Sequence, residues 1–397
     1  LIERVFCQFN KFIFYRIYYG SKFSLLKIFL RLKEFPFNYN FQEERKNYSF
    51  NRHVRKNVKI DKENCTINEK IIRDFIKISL PSIYLEGFKD VMDRVNNSIL
   101  PKKRDIIYSC NIQYDYLFKF WAAKQVSQGS KLIYGQHGGN HDLIENDYTV
   151  NHSLKISDLF LSWGWKGGDK IIPLSCFSVI GKKNFIYKKN RKFVLFLKEN
   201  NHYHQFNDIM FLNDLFYGEK EYVLNTNKCT LNFIELCQQK KFKLYIKSHP
   251  NDHRQSVPIN KILEKKFDRL NYEKRTKIFQ VLNEYELIIF SSIEQTTLLQ
   301  CLSLNKPFIA FFTIDIEIIN QKYKNIFKNL INAGVFHTSA LSTFEFLQKN
   351  TDLKNWWESE KVKKAIKDFS DNYVRIDKDV NDKIFKILKN EKLKLTR

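Results

Sequence analysis

Lys131-Leu132-Ile133-Tyr134-Gly135-Gln136-His137-Gly138-Gly139 runs from a short apolar segment straight into paired glycines. An apolar run of this length, bounded by such a break, reads as a buried strand delivering a loop. Upstream, Asp105-Ile106-Ile107-Tyr108-Ser109-Cys110 has the same form. Between the two, residues 114–128 carry Leu117, Phe118, Trp121, Ala122 and Val126 at helical spacing, closed by Gly129. Downstream, Asp158-Leu159-Phe160-Leu161-Ser162-Trp163 predicts a third strand and Phe177-Ser178-Val179-Ile180-Gly181 a fourth. Strand, helix, strand, loop is the signature of a parallel α/β sheet.

A polar, basic stretch, Lys182-Lys183 to Arg191-Lys192, then reads as a linker. A second α/β series follows it. Strands are expected at Phe193–Leu197, Phe242–Lys247, Glu286–Phe290 and Pro307–Phe312, with helices at 227–240 and Thr296–Leu304 and a helical close over 359–390. The division predicted is residues 1–188, an amino-terminal helical segment plus one α/β domain, and 189–397, a second α/β domain with closing helices. Two such halves leave a cleft, and ligands of open parallel sheets sit at the carboxyl ends of strands.

Composition narrows the class. The 397 residues include 67 Lys or Arg and 43 Asp or Glu, a net charge of +24. Apolar residues at 43% and aromatics at 15% exclude intrinsic disorder. Seven cysteines, an odd number with no C-x-x-C pair, argue against a disulfide framework or a zinc ribbon and for a reduced, cytoplasmic protein. Residues 1–34 mix Phe and Tyr with Lys and Arg every few positions, so no uncharged membrane span fits there. An interfacial helix on anionic lipid and an ordinary buried helix are the two readings.

Three loops could carry chemistry. The first is Gly135 to His141. Its glycines expose backbone amides, and Gln136, His137, Gly138 and Gly139 could contact a ligand. His137, Asp142 and Glu145 are the candidate bases. The second is Lys247-Ser248-His249-Pro250, where proline holds His249 extended and Lys247 and Arg254 add positive charge for an anionic leaving group. The third is Ser291-Ser292 to Thr296, a strand end running into a helix start. It is either a plain N-cap or a phosphate-binding helix terminus. Trp163 and Trp165 either face a sugar ring or belong to the core. Phosphate-loop, dinucleotide-fingerprint, nucleophile-elbow and H-E-x-x-H motifs are absent. Asp377-Lys378-Asp379 reads as solvated surface. No metal and no resident cofactor is expected.

Together, Gln136-His137-Gly138-Gly139, Ile156-Ser157-Asp158 to Trp163-Gly164-Trp165, Ser248-His249-Pro250 and Ser291-Ser292/Thr296 resemble the transferases of bacterial surface-polysaccharide (O-antigen) loci. More distantly they are similar to GT-B capsule glycosyltransferases that use CMP-activated Kdo or sialic acid. The resemblance covers roughly residues 100–320. It implies a GT-B-like architecture of two Rossmann-like domains facing a cleft. It implies transfer of a sugar from a nucleotide-activated donor, a CMP-linked sugar among the candidates, to a glycan acceptor hydroxyl. Carried over, phosphate binding falls on His249, Ser291, Ser292 and Thr296, and the base on the amino-terminal half. The family loop continues with a further glycine and an aromatic, where this chain has Asn140-His141. The implied partners are a nucleotide sugar, a free or lipid-linked glycan, and the anionic inner face of the plasma membrane. The alternatives are a non-catalytic assembly protein of a polysaccharide machine and a nucleotide-sugar epimerase. Nucleic-acid binding is disfavoured, because the basic residues are spread along the whole chain and form no recognised module.

Overall fold

A computed structural model describes residues 10–17, 21–36, 38–39, 46–98, 100–101, 104–112, 115–139, 141–145, 147–198, 220–249, 259–313, 315–375, 377 and 379–395. Arg254, Pro250 and Asn140 from the sequence analysis lie outside them.

Two parallel sheets organise the chain. The first contains β1 (Phe12–Tyr15), β2 (Asn38–Tyr39), β3 (Ile106–Ser109), β4 (Lys131–Gly135), β5 (Leu159–Ser162) and β6 (Ile171–Pro173), in the order β2-β1-β3-β4-β5-β6. The second contains β7 (Phe193–Phe196), β8 (Leu244–Lys247), β9 (Asn271–Tyr272), β10 (Leu287–Phe290), β11 (Phe308–Phe311) and β12 (Phe336–His337), in the order β12-β11-β10-β7-β8-β9. The expected α/β class with two parallel sheets and a helical carboxyl-terminal region is what the chain adopts. Helices Glu360–Asn372 and Val380–Leu395 form that last region.

The strands form where the sequence is continuously apolar. In β7, β10 and β11 every residue is buried. That pattern belongs to parallel strands covered on both faces. On one face Phe193, Leu195, Leu287, Ile289, Ile309 and Phe311 pack with Phe233 and Ile234 of the Lys220–Gln239 helix and Phe344 of the Ala340–Lys349 helix.

Two elements differ from expectation. Phe12–Tyr15 is a strand, not part of a helix. All four of its side chains are buried, and it pairs in parallel with β3, Phe12 opposite Ile106 and Tyr15 opposite Ser109. The helix of this region begins later, at Lys22–Leu32. Phe177–Val179 is a single 3-10 turn, because the Ile180 amide bonds back to the Phe177 carbonyl at 3.3 Å instead of joining a ladder. The strand beside β5 is Ile171–Pro173.

By internal contacts the chain forms two compact units. One comprises Leu1–Ile17, Phe29–Ile133 and Ile387–Arg397, and the other Tyr18–Ile28 and Tyr134–Lys386. In the first, Asn10 and Glu34 tie the start of β1 to the turn after the first helix: Asn10 Nδ2 donates to the Phe35 carbonyl at 2.9 Å, and the Lys11 amide to Glu34 at 2.8 Å. In the second, a glycine is obligatory at 164. Its φ is +143°, and a Cβ there would lie 2.4 Å from the Arg375 nitrogen. That nitrogen donates to the Trp163 carbonyl at 2.7 Å. Gly164→Ala is therefore expected to destabilise the protein by about 2–4 kcal/mol, through backbone strain and a lost hydrogen bond. Urea unfolding would read this as a lower midpoint at unchanged slope.

Candidate functional site

The second sheet has a topological switch. The chain lays down β7, adds β8 and β9 on one side, then returns to place β10 on the other. Loops leaving β7 and β10 therefore diverge, and open α/β sheets bind ligands at such a crevice. The residues at these strand ends are polar yet buried. The Ser291 amide donates to the Phe196 carbonyl at 3.1 Å, and Ser291 Oγ accepts from the Lys198 amide at 2.9 Å. Ser292 Oγ donates to Glu294 Oε2 at 2.7 Å. Lys198 Nζ pairs with the same Glu294 Oε2 at 3.2 Å, with both side chains under one-tenth exposed. A buried ion pair recovers its desolvation cost only when further hydrogen bonds satisfy it, and Ser292 supplies one.

The Thr296–Ser303 helix starts directly after this knot. Its N-cap is Gln295, which makes no side-chain cap bond. Instead Gln295 Nε2 reaches the Phe196 carbonyl at 3.2 Å. The expected hydroxyl cap from Ser292 is not formed: the N-cap position falls three residues later, and Ser292 Oγ accepts the Glu294 amide at 3.2 Å instead. The N-cap side chain thus makes no bond to the first amides of this helix, and the Leu298 amide turns back to the Gln295 carbonyl at 2.9 Å.

The Gly138-Gly139 loop lies against that terminus. A Cβ on Gly139 would stand 3.2 Å from Thr296 Cα and 3.2 Å from Leu299 Cδ1, and one on Gly138 3.6 Å from Thr296 Oγ1. The first and third loops of the sequence analysis therefore meet. Gln136 is not a ligand contact in this arrangement. It is fully buried, its Oε1 accepting from the Trp163 amide and from Trp165 Nε1, each at 2.8 Å, while its Nε2 donates to the Gly138 carbonyl at 2.6 Å. Trp163 and Trp165 are 1% and 0% exposed, so neither offers a ring face to a sugar. They are core residues that anchor the loop through Gln136. From the other side, the Tyr373 hydroxyl donates to the carbonyls of Gly139 and His141 at 2.6 and 3.0 Å.

The three candidate bases separate clearly. Asp142 is engaged by Lys322 Nζ and the Tyr323 hydroxyl, both at 2.5 Å. Burial pushes its carboxyl above the usual range, against the pull of Lys322. Glu145 is exposed and accepts the Gln321 amide at 3.3 Å. Both carboxylates serve to stitch their loop to the segment around Gln321. His137 is held differently. Burial, and secondarily His141, push its imidazole down from 6.5 to about 4. At neutral pH it carries no proton on its acceptor nitrogen.

The second loop is placed in part. The Leu197 amide donates to the Lys247 carbonyl at 3.0 Å, so the chains leaving β7 and β8 depart side by side, with Lys198 and His249 next in sequence. Ser248 Oγ donates to Asn260 at 2.6 Å. Lys247 does not face the crevice. Its ammonium donates to the carbonyls of Arg275 at 2.7 Å and Glu273 at 3.4 Å. Sequence reasoning missed Lys198 and Glu294, although a lysine directly after the Phe193–Leu197 run was a signal of the kind read at Lys247. Among the described residues, no group of three or more His, Cys, Asp or Glu is placed to hold a metal ion.

The histidine shift has a measurable consequence. As pH falls from 6.5 toward 4, the unfolded chain takes up a proton on His137 that the folded chain refuses. Stability contributed by the neutral ring is therefore lost across that window, by about 2–3 kcal/mol. Urea unfolding as a function of pH should show this fall, reduced in His137→Gln. The His137 ring protons should titrate near 4 by NMR.

No curated protein compared with the chain matches it. Among solved structures, a UDP-N-acetylglucosamine 2-epimerase from Rickettsia bellii is similar at 11% identity and a TM-score of 0.47, over 98% of each chain. The wall teichoic acid polymerase TagF is similar at 10% identity and a TM-score of 0.41, over 74% of this chain and 73% of its own. An O-GlcNAc transferase from Thermobaculum terrenum gives 12% identity and 0.34, over 73% of this chain and 62% of its own. Residues 1–388, nearly the whole length, match the family described as LIC12162 family transferase, and the chain belongs to that family of transferases.

Proposed function

We propose that this transferase is a GT-B-type glycosyltransferase of surface-polysaccharide synthesis. It moves a sugar from a nucleotide-activated donor to a hydroxyl of a free or lipid-linked glycan. The observation that carries the reading is the approach of the Gly138-Gly139 loop to the side-chain-uncapped start of the Thr296–Ser303 helix, at the switch point of the second sheet. Helix-terminal amides with a nearby cation form an anion site suited to a nucleotide phosphate. Thr296 and His249 are proposed for the donor side, with the Lys198–Glu294 pair and Ser292 buried behind them.

In this mechanism His137 takes the proton from the acceptor hydroxyl. The acceptor oxygen bonds to the anomeric carbon as the bond from that carbon to the phosphate oxygen breaks. The charge that develops on the departing phosphate is stabilised by the helix amides and needs no metal. Of the three candidate bases, His137 is favoured because its ring is neutral at neutral pH and stands in the glycine loop itself, whereas Asp142 is tied to Lys322 and Tyr323.

A thermal-shift series with CMP, CDP, UDP and GDP tests the donor class. One nucleotide should raise the melting temperature selectively, since a ligand bound only by the native state stabilises it by mass action. No response to any of the four would remove the reading. With the donor known, His137→Ala should lower transfer about 10²-fold or more at neutral pH, with nucleotide binding retained. An isomerised nucleotide sugar formed without acceptor would identify an epimerase instead.

A further inference from the structure

The helix Lys22–Leu32 turns one side inward and the other to solvent. Ser24, Ile28 and Phe29 are buried, and the Phe29 ring lies 4.6 Å from that of Phe14 in β1. The opposite side carries Phe23, Leu26 and Leu30, which are 64%, 36% and 64% exposed. Spacings of three and four set these three on one stripe. At about 3.6 residues per turn, Lys22 falls on one flank of the stripe and Lys27 and Arg31 on the other. All three cations are exposed. Lys27 Nζ stands 4.7 Å from the centre of the Phe23 ring, so charge and apolar surface share one face.

Along this stretch no exposed acid accompanies the cations. Residues 21–36 hold a single acid, Glu34, which is buried and accepts the Lys11 amide at 2.8 Å. A second segment adds charge of the same sign. A Cβ on Gly181, whose φ is +76°, would stand 2.9 Å from Ser24 Oγ and 3.0 Å from Ser21 Cβ. The chain entering Lys182 and Lys183 therefore passes against the start of the helix. Both lysines are exposed, and residues 170–198 contain no Asp or Glu. Lys182 Nζ lies 4.7 Å over the Phe279 ring. The acid of that Ile278–Glu284 helix, Glu284, pairs instead with Lys192 at 3.0 Å.

We infer that the Phe23–Leu26–Leu30 stripe, bordered by Lys22, Lys27, Lys182 and Lys183, docks the protein on an anionic bilayer surface. Charge and apolar area select this occupant together. A second copy of the same face would oppose like charges. A soluble polyanion would engage the lysines and leave the stripe in water. Acidic headgroups complement the border while the stripe enters the headgroup boundary, as amphipathic interfacial helices do. Lysine stems are long enough to lie along the apolar surface with their ammonium groups at the phosphates. Contact of this kind needs no membrane span, and among the described residues no helix is long and apolar enough to provide one. The interfacial and the buried readings of this segment thus describe two sides of one helix. The inference does not rest on the glycosyltransferase reading, because its test reads no turnover.

Full-length protein is floated with vesicles of mixed phosphatidylglycerol and phosphatidylcholine, and with phosphatidylcholine alone. Binding is expected on the anionic vesicles and is weakened by salt, which shortens the electrostatic range. Phe23→Ser/Leu30→Ser removes apolar area at constant charge and should lower the partition coefficient about tenfold or more. Lys22→Gln/Lys27→Gln removes charge with the stripe intact and should lower it to a similar degree, about tenfold. Circular dichroism and melting should be unchanged in both, because the positions are exposed. Lys182→Gln/Lys183→Gln, outside the helix, should also weaken binding and carries the test if the helix variants fail to fold. Wild type that stays in solution, or equal binding to neutral vesicles, would overturn the inference. So would folded charge variants that bind as wild type, or a folded Phe23→Ser/Leu30→Ser that does so, the latter being the mark of a purely electrostatic polyanion site. A wild-type dimer in sedimentation that Phe23→Ser/Leu30→Ser separates would assign the face to a second copy instead.

Discussion

The approach of Gly139 to Thr296 is the constraint on which the candidate site depends. With Thr296 Cα and Leu299 Cδ1 each 3.2 Å from where a Cβ would stand, the loop backbone meets the helix backbone with almost no clearance. That closeness explains three otherwise separate features. The loop needs paired glycines. It needs an internal brace, which the Gln136 amide supplies by holding two tryptophans and the Gly138 carbonyl at once. And it needs an external brace, the Tyr373 hydroxyl. A loop fixed on both sides has little conformational freedom left to lose.

The second sheet provides the platform. Its central strands are apolar throughout and covered on both faces, so polarity is confined to their carboxyl ends. There the Lys198–Glu294 pair is buried with Ser291 and Ser292 as satisfied partners. Such a knot is costly to assemble without its hydrogen bonds, and it orients rather than stabilises. Lys247 makes an instructive contrast. It stands at an equivalent strand end one position over, but its ammonium is consumed by two carbonyls of the next segment.

Much of this was legible in the sequence because buried parallel strands are uninterrupted apolar runs. Phe193–Phe196, Leu287–Phe290 and Phe308–Phe311 declare themselves without knowledge of their neighbours. Phe12–Tyr15 did not, since the lysines and arginines around it mimic an amphipathic helix and its partner β3 is remote in sequence. The glycine loop and the start of the Thr296 helix were readable as strand ends, yet their contact was not, because close backbone approach leaves only the bare glycine as a trace. The tryptophans could be read either way until Gln136 was seen to bind them. The contacts that distinguish Asp142 and Glu145 from His137 come from Lys322, Tyr323 and Gln321, far along the chain.

The Tyr373 and Arg375 contacts also order events in time. They clamp a loop that precedes Tyr373 by 234 residues and a tryptophan carbonyl beside an obligatory glycine. Closing so long a segment is slow relative to forming the sheets it spans. A chain emerging from the ribosome can therefore build its strands while the loop still lacks its outer brace. The outer brace waits for the Glu360–Asn372 helix and the residues just after it, so a polypeptide that stops short of Tyr373 holds the strands without the clamp.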